Sequence, residues 1–569
     1  VQMTQNLQNA PQADSDKASR LNAAEYENLP RETLIEMLRR RDRQTPYGLV
    51  WESKNIVQDK ALNRDFVALE LSPSLSCGAA PWRNLIIEGD NYDALRNLVS
   101  TYAGQVKLIY IDPPYNTGRK DFVYNDSYFD STNRYRHSTW LEFMYQRLRL
   151  AKDLLTEDGV IFVSIDDNEL FNLGLLMNKV FGEGNFIANV IWQKVYSPKN
   201  TAIHFSDDHE YVLIYAADRN IWRPNPLPRS AEQDKAYKNL DNDARGVWKA
   251  ENMTARNPYS AGRYPVTCPS GRVIEGPPAG TYWRISKEKL LELDADNRIW
   301  WGKNGNNTPA VKRFLSEVKQ GVVPQTLWTY DAVGHTQDAK KQLNEILSKD
   351  RNEDVFSTPK PLQLMDRILR LATKPGDLVL DFFAGSGTLA QAMLQLNKED
   401  DGERRFILVS NTEATDSEPD KNLCRDVCAT RVRRAIEGYT SAKAGQVEGL
   451  GGDFAYVRAR HIPTHRLEER LDDGMVWSYI QMKHHHPLSE RGRLISVSAW
   501  MQEVIIYVPN TTAKMKTALR EALAEHPQAI VYTWTPAALV DVVNENNLRE
   551  VPSDLTRGFR FGKLGGIQA

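Results

Sequence analysis

Val106-Lys107-Leu108-Ile109-Tyr110-Ile111 runs directly into Asp112-Pro113-Pro114-Tyr115. The first six residues are largely apolar on both faces, the pattern of a strand inside a parallel sheet covered by helices. Ligands of such sheets bind beyond the carboxyl ends of the strands, so the polar tetrapeptide stands where a site belongs. The pattern recurs on both sides. Leu85-Ile86-Ile87 reads as a buried strand ending at Glu88-Gly89-Asp90, followed by a helix over 92–101. After the tetrapeptide come a helix over 138–155, a buried strand over 159–165 and a helix over 169–181. Alternating strands and helices predict a doubly wound α/β sheet.

The periodicity lapses near residue 186 and resumes at Pro361. There a helix over 362–372 leads through the turn Lys374-Pro375-Gly376-Asp377 to the strand Leu378-Val379-Leu380. The loop Asp381-Phe382-Phe383-Ala384-Gly385-Ser386-Gly387-Thr388 follows, then a helix over 389–396, a strand over 405–409 and a charged helix over 423–437. The stretch 186–335 is rich in Trp, Pro, Gly, Asn and basic residues, with short strands at 190–194 and 211–216. It is too long for a simple loop and is expected to be a module of its own. The expected organisation is a flexible arm and N-terminal helix (1–45), one half of the core (46–185), the insertion (186–335), the other half (336–440) and a small C-terminal α/β domain (441–569) with strands at 504–508 and 529–534. Residues 1–25 read as disordered, and 33–43 as a basic amphipathic docking helix.

At 569 residues the chain has room for three or four compact units. Its formal charge of -2 excludes a polycation of the histone kind but leaves room for a local basic groove. No apolar run reaches the roughly 20 residues of a membrane span, and the first residues lack the apolar stretch of a signal peptide. The four cysteines, Cys77, Cys268, Cys424 and Cys428, are too scattered for a disulfide framework, so a reducing, cytoplasmic setting fits best. Cys424 and Cys428 fall on one helix face, but no further metal-ligand spacing accompanies them, so no metal is expected. His484-His485-His486 reads as an exposed polar stretch.

The tetrapeptide has a chemical logic of its own. Its prolines fix φ and remove backbone donors, leaving carbonyl oxygens and the Asp112 carboxylate. Such a loop of acceptors suits an amino group. The exocyclic amine of adenine is a poor nucleophile because its lone pair is delocalised. Hydrogen bonds from its two protons to Asp112 and the Pro113 carbonyl would localise that pair and stabilise the developing positive charge. Tyr115 offers a face on which a base flipped out of a duplex can stack. A strand-end turn capped by Asp explains the tetrapeptide equally well if nothing else accompanies it. The glycine loop permits close approach of backbone to a ligand. Its Gly-x-Gly-Thr spacing lacks the third glycine of the dinucleotide fingerprint, and taken alone it could serve NAD, FAD or S-adenosylmethionine.

Together these stretches resemble the β-class DNA adenine-N6 methyltransferases, and especially the Mod (modification) subunits of type III restriction–modification systems. The resemblance runs over residues 30–440. It is carried by Tyr47-Gly48-Leu49-Val50-Trp51-Glu52, Ile87-Glu88-Gly89-Asp90-Asn91-Tyr92, Ile109 through Gly118, His137-Ser138-Thr139-Trp140-Leu141, Ser164 through Glu169, Val333-Gly334-His335-Thr336 and Thr358-Pro359-Lys360-Pro361. It implies a permuted Rossmann-like, S-adenosylmethionine-dependent methyltransferase fold. In that order the catalytic motif (Asp112, Pro113, Pro114, Tyr115) precedes the cofactor motif, and a target-recognition domain is inserted between them. It further implies that Phe383, Gly385, Gly387 and Thr388 line the cofactor pocket and that Asp381 meets the methionine amino group. Lys360 would complete the pocket beside the methionine, and Asp90 would lie near the cofactor adenine. Where an acidic residue for the ribose hydroxyls belongs, the sequence reads Ser410-Asn411-Thr412-Glu413, which makes Glu413 the candidate. The implied partners are double-stranded DNA, a second copy of the chain, and a restriction helicase/nuclease subunit or other phage-defence proteins of a bacterial or archaeal cell.

In the insertion, Lys194, Lys199, Arg245, Lys249, Arg256 and Arg263 are interleaved with Trp192, Tyr196 and Trp248. Basic residues of this kind contact phosphate and aromatics pack or stack, so Trp192, Lys194, Tyr196, Lys199 and Lys249 are candidate DNA contacts. Three alternatives stay open. N4-cytosine methylation shares the chemistry, although that branch of the family more often has Ser where Asp112 stands. A recognition subunit without turnover would need a partner, since the chain carries no Gly-x-x-x-x-Gly-Lys-Ser/Thr loop for ATP. An RNA methyltransferase fits the large insertion less well.

Overall fold

A computed structural model describes residues 65–117, 136–198, 200–229, 234–318, 321–347, 356, 358–415, 417–441, 445–557 and 559, together with Arg31. The expected N-terminal arm, the 33–43 helix and Tyr47–Glu52 lie outside these residues, as does Lys199. Apart from Arg31, the described residues belong to one compact unit, Ser53–Lys563.

Its centre is a ten-stranded sheet. In chain order the strands are β1 (Phe66–Leu71), β2 (Leu85–Glu88), β3 (Val106–Ile111), β4 (Leu155–Ile165), β5 (Phe186–Gln193), β6 (His209–Ala216), β7 (Leu327–Trp328), β8 (Leu378–Asp381), β9 (Arg405–Ser410) and β10 (Ala455–Ile462). Their order across the sheet is β1-β10-β2-β9-β8-β3-β4-β6-β5-β7. All run parallel except β1 and β6, which are antiparallel to their neighbours. The doubly wound α/β sheet expected from the sequence is therefore present. Its central strands are buried on both faces along the runs Leu85–Ile87, Leu108–Ile111, Val160–Ile165, Leu378–Leu380 and Phe406–Val409, where all residues but Ser164 are apolar.

Helices cover the sheet. Those of the first half are α1 (Asn91–Tyr102), α2 (Arg136–Leu154) and α3 (Leu170–Phe181), packed α1 on α2 and α2 on α3. Those of the second are α4 (Thr336–Ile346), α5 (Leu362–Ala372), α6 (Thr388–Asp400) and α7 (Thr430–Glu437). The apolar stripe of α5 (Leu364, Met365, Ile368, Leu369) joins Leu108, Tyr110, Val160, Phe162, Val379 and Phe406 of the strands in one core.

Three features depart from the sequence-based organisation. Residues 186–216, placed with the insertion, form β5 and β6 of the core sheet. Val212, Leu213, Ile214 and Tyr215 bury β6 between β4 and β5. Likewise β10, placed in the C-terminal domain, lies between β1 and β2. The strand β1 had drawn no prediction at all. The insertion proper holds a three-stranded sheet built on Trp248–Asn252 and Ala310–Phe314, a helix over Lys287–Ala295, and a core of Met253, Tyr264, Trp283, Leu290 and Ile299.

The C-terminal sheet consists of β11 (Ser496–Trp500), β12 (Glu503–Val508), β13 (Ile530–Thr533) and β14 (Leu548–Glu550), with α9 (Ala513–Glu525) between β12 and β13. The preceding helix, α8 (Asp473–Lys483), is packed between this sheet and β1. The three histidines after α8 are not an exposed stretch. His484 Nε2 lies 2.9 Å from the Tyr532 hydroxyl, His485 Nε2 2.9 Å from the Thr101 carbonyl, and His486 Nδ1 2.9 Å from Ser498 Oγ. They fasten the end of α8 to α1 and to the small sheet. Among the described residues no cluster of His, Cys, Asp and Glu could hold a metal, and no helix is long and apolar enough to cross a membrane.

Candidate active site

The parallel strands present their carboxyl ends along one edge, and that edge carries Asp90 after β2, Asp112 after β3, Asp381 at the end of β8 and Lys194 after β5. Because β6 runs the other way, it brings its amino end, and with it Glu210, to the same edge.

The loop after β3 is held rigidly. Trp140 of α2 donates from Nε1 to the Pro114 carbonyl at 2.7 Å. Asn116, at φ +55°, donates to the buried Glu169 carboxylate at 2.5 Å, and the His137 ring lies 2.7 Å from the same oxygen. The conspicuous stretches around His137–Trp140 and Ser164–Glu169 are thus the braces of the tetrapeptide. With Pro114 engaged, the Pro113 carbonyl accepts no hydrogen bond among the described residues.

Asp112 is engaged on one oxygen. Its Oδ1 accepts from the Tyr115 hydroxyl at 2.8 Å and lies 3.0 Å from Lys360 Nζ. No described residue donates to its Oδ2. Glu210 stands opposite, 3.1 Å from the Lys360 ammonium and 3.0 Å from the Tyr115 hydroxyl, and its other oxygen is 3.3 Å from Lys194 Nζ. Burial holds the Asp112 carboxyl above its ordinary range; Lys360 pulls it down and Glu210 pushes it up. Burial alone would also raise Glu210, but Lys360 and Lys194 outweigh it and hold that carboxyl below its ordinary value. Burial alone would lower Lys360, and the two carboxylates reverse this.

The glycine loop lies beside this cluster, since the Asp112 charge is felt at Asp381. Asp381 is 3% exposed and receives one hydrogen bond, from the Phe383 amide at 3.0 Å; no cation pairs with it among the described residues. Burial therefore pushes its carboxyl well above the usual range. A buried carboxylate without a counter-charge fits a ligand that brings an ammonium group. Gly385 and Gly387 adopt φ of +50° and +74°, and a Cβ on Gly385 would come within 2.8 Å of the Phe356 ring. Behind the loop the fully buried Arg431 donates to Ser386 Oγ at 3.1 Å, Thr388 Oγ1 at 2.6 Å and Gln391 Oε1 at 2.8 Å. Burial lowers this guanidinium to about 10.

Residues 106–413, more than half of the chain, match the model of the N6/N4 methyltransferase family, described as DNA methylase. The chain belongs to that family. It is 38% identical to the Mod subunit of the type III restriction-modification enzyme StyLTI of Salmonella typhimurium, over 58% of this chain and 53% of that one. To the EcoPI Mod subunit of Escherichia phage P1 it is 33% identical, over 58% of each chain. The type II methyltransferase M.KpnI of Klebsiella pneumoniae is 31% identical, over 57% of this chain and 79% of that one. The chain thus spans little more than half the length of these Mod subunits.

Within this methylase architecture the remaining candidates fall as follows. Lys360, expected beside the methionine end of a cofactor, has its ammonium in the acceptor loop. Asp90 caps α1 by accepting from the Tyr92 amide and pairs with Arg147 at 3.1 Å. Glu413 pairs with Lys421 at 3.2 Å. Phe383 packs beside Phe143 with ring centroids 6.1 Å apart. Trp192 is 1% exposed, lies under Lys360 and donates to the Gly334 carbonyl, so it is a wall of the pocket and not a surface for DNA. Lys194 is turned to Glu210 rather than outward. Tyr196 is 58% exposed and packs beside Tyr330 and His335. Lys249 is exposed, with its ammonium 5.5 Å from the Tyr237 ring centroid. Sequence reading missed Glu210 and Arg431. The only signal for Glu210 was a carboxylate at the head of the apolar run Tyr211–Ala216.

Proposed function

We propose that this chain is a site-specific DNA methyltransferase that moves a methyl group from S-adenosylmethionine to N6 of adenine in duplex DNA. The observation that carries the reading is the pair of open acceptors, Asp112 Oδ2 and the Pro113 carbonyl, on a braced loop beside the unpaired carboxylate of Asp381. S-adenosylmethionine supplies a methyl group on a sulfonium centre together with a methionine ammonium. Asp381 would hold that ammonium, while Gly385 and Gly387 would let the backbone approach the ligand. Asp112 and the Pro113 carbonyl would take the two N6 protons of a flipped adenine, orienting its lone pair and offsetting the positive charge that develops on nitrogen. The raised Asp112 carboxyl is suited to receive the proton that nitrogen must then lose. The exposed Lys249, Arg256 and Arg263 of the insertion are suited to phosphate, and the exposed ring of Tyr196 to stacking.

We infer a wider setting, a homodimer in the cytoplasm that modifies and recognises DNA for a restriction helicase/nuclease subunit or another defence system; the relatives' description as Mod subunits of type III restriction-modification enzymes supports the restriction-modification part of it. The test is to incubate the purified chain with unmethylated duplex DNA and methyl-deuterated S-adenosylmethionine, then weigh the released nucleosides. Labelled N6-methyladenine is expected. Label only in N4-methylcytosine would reassign the acceptor, and no label would leave a recognition subunit without turnover.

A further inference from the structure

The chemistry proposed above leaves Glu210 without a task, yet it is almost buried, with a side chain 11% exposed, in the heart of the site. Four polar atoms close a ring there. Asp112 Oδ1 and Glu210 Oε2 each lie on both the Lys360 ammonium, at 3.0 and 3.1 Å, and the Tyr115 hydroxyl, at 2.8 and 3.0 Å. Lys360 Nζ is itself 2.7 Å from that hydroxyl. The hydroxyl has one hydrogen and serves one carboxylate at a time; the ammonium has three. Glu210 Oε1 is taken up by Lys194, so the cluster of two carboxylates and two ammoniums is neutral.

This arrangement poses a problem for amine methylation. An ammonium fixed on Asp112 Oδ1 leaves Oδ2 open to the incoming amine but neutralises the carboxylate, and its charge opposes the positive charge that develops on nitrogen. Lys360 stands equally near a second carboxylate, so it can leave Asp112 without being stranded and without backbone movement. The geometry points to Glu210 as a positioning residue that draws Lys360 off Asp112 when the base enters, leaving the Asp112 charge to the amine while the pocket stays neutral. The inference rests on the methyltransferase reading and adds to it the group that leaves the acceptor its full negative charge.

The test is a double-variant cycle in the full chain, read as single-turnover transfer of tritiated methyl groups to unmethylated bacteriophage DNA. Glu210→Gln keeps the shape and leaves Lys360 with Asp112 as its only carboxylate among the described residues. Transfer is expected to slow 30- to 100-fold, with the calorimetric Kd for S-adenosylmethionine within threefold of wild type. Adding Lys360→Met removes the opposing charge and is expected to recover at least tenfold of that loss. A merely structural Glu210 gives the opposite result, a double variant as slow as Glu210→Gln or slower, and that result overturns the inference. Transfer by Glu210→Gln within threefold of wild type overturns it as well. If the Gln variant melts early, Glu210→Asp keeps the charge but draws it back by one methylene. A three- to tenfold slowing is then expected, and unchanged transfer overturns the inference. A wild-type chain that transfers nothing overturns the methyltransferase reading and this inference together; a competent wild type with an indifferent Glu210→Gln overturns this inference alone.

Discussion

Asp112→Asn isolates the chemistry of the tetrapeptide from its architecture. The substitution keeps the shape of the side chain, turns one acceptor oxygen into a donor and removes the negative charge. Its folding cost is small because Lys360 is not stranded: Glu210 at 3.1 Å and the Tyr115 hydroxyl at 2.7 Å still hold it. What is lost is the charge behind two contacts, to Lys360 and to the Tyr115 hydroxyl, and the Glu210 carboxylate that both retain keeps the net loss to about 1.5–3 kcal/mol. Relief of the burial that raises the Asp112 carboxyl offsets part of this. A drop in stability of about 2 kcal/mol or less is expected. Catalysis loses an oriented partner for the charge developing on nitrogen, an effect of about 10²–10³ in rate, or about 3–4 kcal/mol. The assay pairs single-turnover methyl transfer with calorimetric binding of S-adenosylmethionine and a thermal melt. The reasoning is refuted by a rate within tenfold of wild type. It is refuted equally by a loss of cofactor affinity as large as the loss of rate, which would place Asp112 in the cofactor pocket.

Asp381→Asn separates binding from stability. Burial makes the folded chain take up a proton at Asp381 more readily than the unfolded chain does, so this site costs stability as pH rises above the ordinary aspartate range. The variant is expected to melt at the same temperature or higher at neutral pH while binding S-adenosylmethionine at least tenfold more weakly. In the wild type the same affinity should weaken as pH falls and Asp381 takes up its proton; a pH-independent Kd would count against an ammonium on this carboxylate. Gly387→Ala forces an L residue to φ +74° and puts its Cβ 3.1 Å from Cys428 Sγ and 3.2 Å from Val432 Cγ2. A loss of about 1–2 kcal/mol is expected from a thermal or denaturant melt. Lys312, fully buried in the insertion, is paired with both Asp241 and Asp243. Lys312→Met leaves Asp241 without its cation while Asp243 keeps Arg245 at 2.8 Å, so a cost of about 3 kcal/mol is expected. Hydrogen exchange should then rise in Trp248–Asn252 and Ala310–Phe314 while β3 and β8 stay protected.

What could be read from the sequence follows from what is local. The central strands β2, β3, β4, β8 and β9 announce themselves because burial on both faces makes them continuous apolar runs of the right length. The glycine loop and the tetrapeptide are contiguous, so their chemistry is visible without a fold. Pairing is not local. Tyr211–Ala216 reads as a strand, but its place between β4 and β5 depends on contacts that no periodicity encodes. The same holds for Ala455–Ile462, which pairs with β2 some 370 residues earlier, Ala455 with Leu85. Glu210 was hidden for the same reason. Only once β6 is known to run against its neighbours does the head of that strand fall at the carboxyl edge. Trp192 and Lys194 looked like DNA contacts by composition, but they continue β5, and that strand carries them into the wall of the pocket.

The central claim is adenine-N6 methylation of specific sites, and methylation-sensitive sequencing tests it most directly. One host strain carries the intact gene and another carries the Asp112→Asn gene. The expected result is N6-methyladenine at one recurring sequence with the intact gene and its absence with the variant. Identical adenine modification in both strains, or a mark confined to cytosine, would contradict it.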